Sequence, residues 1–458
     1  MKRIYKYFIY TLLGGTIASC DVLDHAPVNE VDSSVALTDS TSVHLALAGI
    51  YDGMQTVDLY ALRYLYYQDV YADNMRFVGS FTTDNEVNSR RINPTNLQMA
   101  ETWRAFYRVI ARANFILDAL PTIDLTEERK NRISGEARFM RAFMYSEMAK
   151  VWGGVPIVEK AVTDASELNL NPKASAEELY NFMINDLKFA ETHISGSNAA
   201  VGLGSKPFRA SSLTASALLA RVYLESGDYA NAALKAGEII DSEAYGLVND
   251  FSELFNNSAN GEMILVLDFT NNDQNSLSVS SDPSTSGQKF YVTDDFADLF
   301  AASAAEGDSR AEASISKVGD INRVQKYFRS SSNDDDVPLI RLAEMYLIRA
   351  EANARQAAAD AAPAASVLED INAIRSRAGL ATLAAADLTS NAAALEEILL
   401  QRRLEFAFEG HRFADLKRFG QAEALFGPTE AYRVVWPIPF IQIEVNPNLV
   451  QNPGYSSN

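Results

Sequence analysis

The chain has 458 residues, 47% hydrophobic and 22% charged, ample for a large core. Its 40 basic and 60 acidic residues leave a formal charge of −20, which repels nucleic-acid phosphate and anionic lipid and excludes both as general partners. The one cysteine, Cys20, rules out an intramolecular disulfide or a thiolate metal cluster.

The chain opens on Lys2, Arg3 and Lys6, followed by a mostly apolar run from Ile4 to Ile17. Small residues Ala18 and Ser19 then precede Cys20. Residues 1–19 thus have the layout of a secretory signal, with an apolar run too short for a membrane span. The run Ile17-Ala18-Ser19-Cys20 resembles the lipobox of bacterial lipoproteins, which implies cleavage before Cys20 and acylation of its thiol. Diacylglycerol there would supply the two chains that stable anchoring needs. No other stretch reaches about 18 apolar residues, so lipid is the only membrane attachment expected. Residues 20–40, polar and acidic, read as a tether.

Amphipathic helical patterns follow. They cover Ser42 to Thr56, then about Leu97 to Leu120 before Pro121, then Thr126 to about Val151. Gly153-Gly154 stop the third, and Val155 to Val158 reads as extended. Ser175-Ala176-Glu177-Glu178 is a capping-box-like start for a helix to about His193. Ser211 to Ser242 forms the clearest hairpin. Leu213, Ala217, Ala220, Tyr223 and Leu224 share one helix face, Gly227-Asp228 turns the chain, and Ala232, Ala236 and Ile239 mark the return helix. A second hairpin pairs Leu339–Gln356 with Ala364–Arg377. Between the hairpins, residues 256–288 are rich in Asn, Ser, Asp and Gly, interrupted by the strand-like Met263 to Leu267. Arg323 to Phe328 is another strand candidate, Ser330 to Asp336 a polar loop, and the tail from Trp436 is proline-punctuated and irregular.

Several segments together resemble the SusD/RagB family of surface nutrient-binding lipoproteins. Gly135-Glu136-Ala137-Arg138 through Trp152-Gly153-Gly154-Val155-Pro156 matches its helix-then-GGxP segment. Arg341-Leu342-Ala343-Glu344-Met345-Tyr346 to Ala352 matches a characteristic helix, and Ile371 to Leu380 and Arg402 to Leu416 match two more stretches. Pro437-Ile438-Pro439, Asn446-Pro447-Asn448 and Gln451 to Tyr455 match the terminal signature. The matches fall in family order; Gln401 departs from the usual glutamate. The resemblance implies a mainly α fold: a single domain over 41–458 of four tetratricopeptide-like hairpins, with long irregular loop insertions and a few short strands. Its N-terminal part is about 41–250 and its C-terminal part about 260–458. The implied role is capture of a nutrient oligomer and delivery to a SusC-like TonB-dependent transporter in the outer membrane. The ligand would be an oligosaccharide or, as in RagB-like versions, a peptide. Asp21 and Asp24, just after the cysteine, suit surface export. A helical-repeat adaptor without a small ligand is the competing reading.

Enzyme signatures are sparse. The four histidines, His25, His44, His193 and His411, fall in no HExxH-like spacing, and no GxSxG elbow or P-loop occurs. Gly202-Leu203-Gly204 is too short for a dinucleotide fingerprint. Glu405 and Glu409, at i and i+4, share a helix face, as a glycosidase pair would. With Arg402, Arg412 and Asp415 nearby, they read instead as a structural ion-pair network. Asp334-Asp335-Asp336 lacks the spacing of a calcium loop and would favour the N-terminus of the helix from Leu339. No catalysis, metal or cofactor is expected.

Sugar recognition combines an aromatic face with planar polar side chains. Trp103, Trp152 and Trp436 all lie in or next to scaffold-like segments, so a stacking platform must be Tyr or Phe. The best segment is Tyr66 to Arg91, which resembles the family's helix end entering a variable ligand loop. Tyr67 and Tyr71 there read as core residues. Asp73, Asn74, Arg76, Phe77 and Phe81 are the candidate ligand contacts, with Phe290 and Tyr291 a second pair.

Overall fold

The computed structural model describes residues 37–162, 170–195, 207–257, 260–287 and 289–456. The signal segment, Cys20, the tether up to residue 36 and Gly202-Leu203-Gly204 lie outside them. The helices begin where side chains can satisfy free backbone N–H groups. In α1 (Ser40–Asp52), Asp39 and Ser42 form a reciprocal capping box. After α2 (Arg63–Tyr71), β1 (Met75–Val78) and α3 (Thr82–Asn88) comes α4 (Leu97–Ala119), whose first turn is capped by Asn96. The longest helix, α5 (Glu127–Trp152), is capped by Thr126, and α6 (Ala176–His193) by the expected Ser175–Glu178 box. A Cβ on Gly154 would collide with the Ala174 carbonyl oxygen, so only glycine lets the chain pass between these two helices.

The Ser211–Ser242 hairpin is α7 (Ser212–Ser226) and α8 (Tyr229–Asp241), joined by Gly227 in the left-handed conformation (φ +84°). Ala217, Ala220, Ala232 and Ala236 are fully buried, as close approach of the two helices requires. Next come β2 (Met263–Leu267), α9 (Leu277–Ser281), β3 (Lys289–Val292), α10 (Asp294–Ala305), α11 (Arg310–Ser314), β4 (Ile315–Val318), β5 (Ile321–Val324) and β6 (Val337–Arg341). The chain closes with α12 (Leu342–Gln356), α13 (Ala365–Arg377), α14 (Asn391–Glu405), α15 (Arg412–Arg418) and α16 (Phe440–Val445).

Consecutive helices pack side by side from α4 through α8, and the array continues α8 to α12 to α13. One apolar cluster runs through it from Leu37 to Leu449, and a second joins α12, α13 and α14. The strands form three separate antiparallel ribbons, β1–β3, β2–β6 and β4–β5. Among the described residues no helix is long and apolar enough to cross a membrane.

Three local expectations change. The helix expected from Leu339 starts at Leu342, because Val337–Arg341 is claimed by pairing with β2. The acidic run therefore precedes a strand, and Asp335 and Asp336 accept backbone N–H groups of Phe328, Arg329 and Phe269. The strand expected over Arg323–Phe328 stops at Val324, and the tail contains the short α16.

Candidate functional site

The two candidate ligand segments meet in one ribbon. Strands β1 and β3 pair with Arg76 opposite Tyr291 and Phe77 opposite Phe290. Alternation along a strand sends these two pairs to opposite faces. Residues 76–90 carry more regular structure than their composition suggests, since β1 and α3 lie there. Asn85 Nδ2 donates to the carbonyls of Gly79 and Phe81, and the Phe77 N–H donates to Asn88 Oδ1 at 2.8 Å. Arg90 donates to the carbonyls of Tyr71 and Ala72. These polar side chains hold the turn.

The inner face is core. Phe290 is fully buried and meets Phe77 at 5.2 Å, Tyr66 at 5.9 Å and Tyr67 at 6.2 Å between ring centroids. Phe77 and Phe290 are therefore corrected from candidate ligand contacts to packing residues: their faces are spent on each other. Tyr67 and Tyr71 are buried as expected. Asn74 is corrected in the same way. It is fully buried, donating to Asp69 Oδ1 at 2.7 Å and accepting from Arg403 Nε at 2.9 Å. Asp73 is half-buried and accepts a fork from Arg412 at 2.7 and 2.8 Å, with Arg403 at 3.0 Å. Both residues tie the end of α2 to the C-terminal half, a role that needs planar bidentate geometry as much as ligand recognition would.

The other face is buried along β3, at Lys289 and Tyr291, and reaches solvent along β1, at Arg76 and Val78. Arg76 is half-buried, with its guanidinium 5.8 Å from the centroid of the Tyr291 ring. Burial pushes the Tyr291 hydroxyl up from its ordinary value; Arg76 lowers it and Asp282 raises it, so both charges act on this ring. Tyr291 itself is buried. Past the end of β1, Phe81 is 54% exposed at the start of α3, and Val78 is 41% exposed. Strand β5 packs beside β3, where Arg323 Nη1 donates to Asp282 Oδ2 at 2.9 Å. Arg323 and Asp282 were not singled out in the sequence. The signal was there in alternation, with Val324 buried between outward Arg323 and Gln325. An exposed ring, a held guanidinium and a paired carboxylate can stack on and hydrogen-bond a hydroxyl-rich ligand.

Glu405 and Glu409 sit in an ion-pair network, with partners other than those expected. The helix stops at Glu405, and Phe408 and Gly410 take positive φ as the chain turns. Both carboxylates converge on Arg341, at 2.5 Å for Glu405 and 2.8 Å for Glu409. Arg377 and Arg310 also reach Glu405, and Lys326 reaches Glu409 at 2.6 Å. Arg402 pairs instead with Asp415, and Arg412 with Asp73. Glu405 and Glu409 are both buried, so neither can meet a glycosidic bond in this conformation. Trp103, Trp152 and Trp436 are buried too. Among the described residues no group of three His, Cys, Asp or Glu side chains is placed to hold a metal ion.

This architecture of stacked helices with ribbon-borne loops is SusD-like. A solved laminarin-binding SusD-like protein superimposes with a TM-score of 0.79 at 26% identity, covering 92% of this chain and all of that one. The chain belongs to the SusD family: the model described as "SusD family" matches residues 301–433, and the one described as "Starch-binding associating with outer membrane" matches residues 21–224. It is 27% identical to the SusD-like protein P2 of Formosa agariphila over 99% of this chain and 100% of that protein. It is 28% identical to the starch-binding protein SusD of Bacteroides thetaiotaomicron over 76% of each.

Proposed function

We propose that this protein binds a nutrient oligosaccharide at the cell surface and passes it to a TonB-dependent transporter resembling SusC, without catalysing a reaction. The observation that carries the reading is the exposed Phe81 ring in the turn that follows β1, the strand whose Arg76 stands against Tyr291 of β3. Such a ring stacks on the CH face of a sugar, while the guanidinium reads hydroxyls. The starch- and laminarin-binding relatives support a glucan-like ligand. Outer-membrane association, stated in the description of one matching model, agrees with anchoring by an acylated Cys20 after loss of residues 1–19. Residues 41–458 would then act as one domain outside the cell.

Calorimetric titration with starch-derived and laminarin-derived oligosaccharides and a peptide panel tests this reading. Phe81→Ala is expected to weaken glycan binding by more than about 1 kcal/mol while leaving thermal stability unchanged, because the ring is exposed. Phe77→Ala should instead lower the melting temperature. Glycan binding untouched by Phe81→Ala would remove this turn from the site, and binding of peptides alone would replace the oligosaccharide with a RagB-like ligand.

A further inference from the structure

Strand β5 leads from the ribbon into a separate cleft of about 410 Å³, a size typical of small-ligand sites. Phe255 and Ala313 give it apolar surface, and Asp250, Glu312, Gln325 and Phe328 supply chemistry. Each of the last two is held in place from behind. Gln325 Oε1 accepts from Ser316 Oγ at 2.7 Å and from Arg323 Nη2 at 3.2 Å. A guanidinium only donates, so the amide orientation is set and Nε2 is left as a donor without a partner among the described residues. Phe328 is 39% exposed, yet its backbone N–H and that of Arg329 both donate to Asp335 Oδ1, at 2.9 and 3.1 Å. The Arg329 guanidinium stands 5.4 Å from the ring centroid. An apolar ring kept at the surface by this many contacts is pre-organised for a partner.

The electrostatics narrow that partner. Asp250 Oδ1 accepts from the N–H and hydroxyl of Ser252, at 2.9 and 2.8 Å, leaving Oδ2 as an acceptor without a partner among the described residues. Glu312 adds a second exposed carboxylate. No Lys or Arg is among the residues lining the cleft; Arg323 and Arg329 stand behind Gln325 and Phe328, the first donating to Asp282 and Gln325 and the second to the Asn256 carbonyl. Lys326, close behind Phe255, is fully buried on Glu409. Uronate or sulfate groups would be repelled here, whereas vicinal hydroxyls can donate to the carboxylates and accept from Gln325.

We propose that this cleft is a second glycan-binding site, selective for uncharged sugars, and that one polymer chain engages both it and the ribbon face. Arg323 joins the two, with Nη1 on Asp282 beside Tyr291 and Nη2 on Gln325. The inference rests on the oligosaccharide reading above. Two linked weak sites raise the affinity for a long chain well above that for a short one.

The test uses the mature full chain and neutral glucan oligomers of increasing length, the matching polysaccharides, and a uronate oligomer, read by calorimetry and by retention in polysaccharide-containing gels. Phe328→Ala and Gln325→Ala are each expected to weaken polysaccharide binding about fivefold or more. The melting temperature should not move, and the loss with the shortest oligomer that fits the ribbon face should be smaller. Glu312→Gln should raise binding of the uronate oligomer. If both cleft variants bind polysaccharide as the unaltered protein does, while Phe81→Ala loses it, the second site is refuted and the first stands. If the cleft variants affect only a cationic peptide, the neutral-glycan assignment is overturned; if no glycan binds the unaltered protein, both readings fail.

Discussion

Glu405→Gln is expected to cost about 3–5 kcal/mol of stability, because it leaves buried guanidinium groups without their shared anion. Glu405 is fully buried, with Oε1 facing Arg341 and Arg377 and Oε2 facing Arg310 at 3.2 Å. Glutamine keeps the shape but removes the charge and turns an N–H toward a cation. Arg377 keeps Glu262 at 2.8 Å and Arg310 keeps Asp308 at 2.7 Å, so the loss should fall below that of removing a lone buried partner and stay near the lower end of the range. Acid sensitivity follows from the same residue. Burial alone would raise its pKa, but Arg377, Arg341 and Arg310 hold the carboxyl well below the ordinary 4.5. The unfolded chain therefore takes up this proton at higher pH than the native one. The stabilisation is complete above about pH 4.5 and is lost as pH falls toward the native value. Melting temperatures measured from pH 6 to pH 3 should fall less steeply in Glu405→Gln. A variant with unchanged midpoint and slope would show that the network contributes nothing net.

Trp152→Ala should be similarly damaging, about 3–5 kcal/mol in chemical denaturation. The indole lies at the end of α5, fully buried, with edge-on contacts to Trp103 at 5.1 Å, Trp436 at 5.5 Å and Phe106 at 5.9 Å. Its Nε1 donates to the Pro437 carbonyl at 3.0 Å, joining the C-terminal tail to the helical array. Removing it opens a large cavity and orphans a buried acceptor. Trp152→Phe should lose clearly less, since the ring stacking survives in part. Equal losses in the two variants would mean that the hydrogen bond, rather than volume, dominates.

Much of the helical array was legible because its signals are local. Thr126, Ser175 with Glu178, and Gly227 each mark a boundary within a few residues of where it falls. The ribbons were legible only in part: Met263–Leu267 read as a strand and is β2, but the pairings did not show, because the partners lie far along the chain. Met75-Arg76-Phe77-Val78 gives no hint that it pairs with Lys289–Val292, so Phe77 and Phe290 read as loop aromatics when they are each other's packing partners. Likewise Glu405 and Glu409 were recognised as ion-paired, but Arg341, Arg377 and Arg310 reach them from other elements. Proximity in sequence pointed instead to Arg402 and Arg412. Phe81, read from the sequence as a candidate ligand contact, is exposed at the start of α3.

Strands β2 and β6 run antiparallel, so everything from residue 268 to residue 336 leaves and re-enters the array at one clamp. Lengthening such an excursion costs little, about 0.6 kcal/mol per doubling of a flexible loop. Homologues can therefore diversify this cassette while the helices stay the same. It is not self-sufficient, however, because β3 inside it pairs with β1 outside it. A chimera that transplants residues 268–336 alone would split that ribbon between two parents, whereas one that also carries residues 75–81 would inherit it whole.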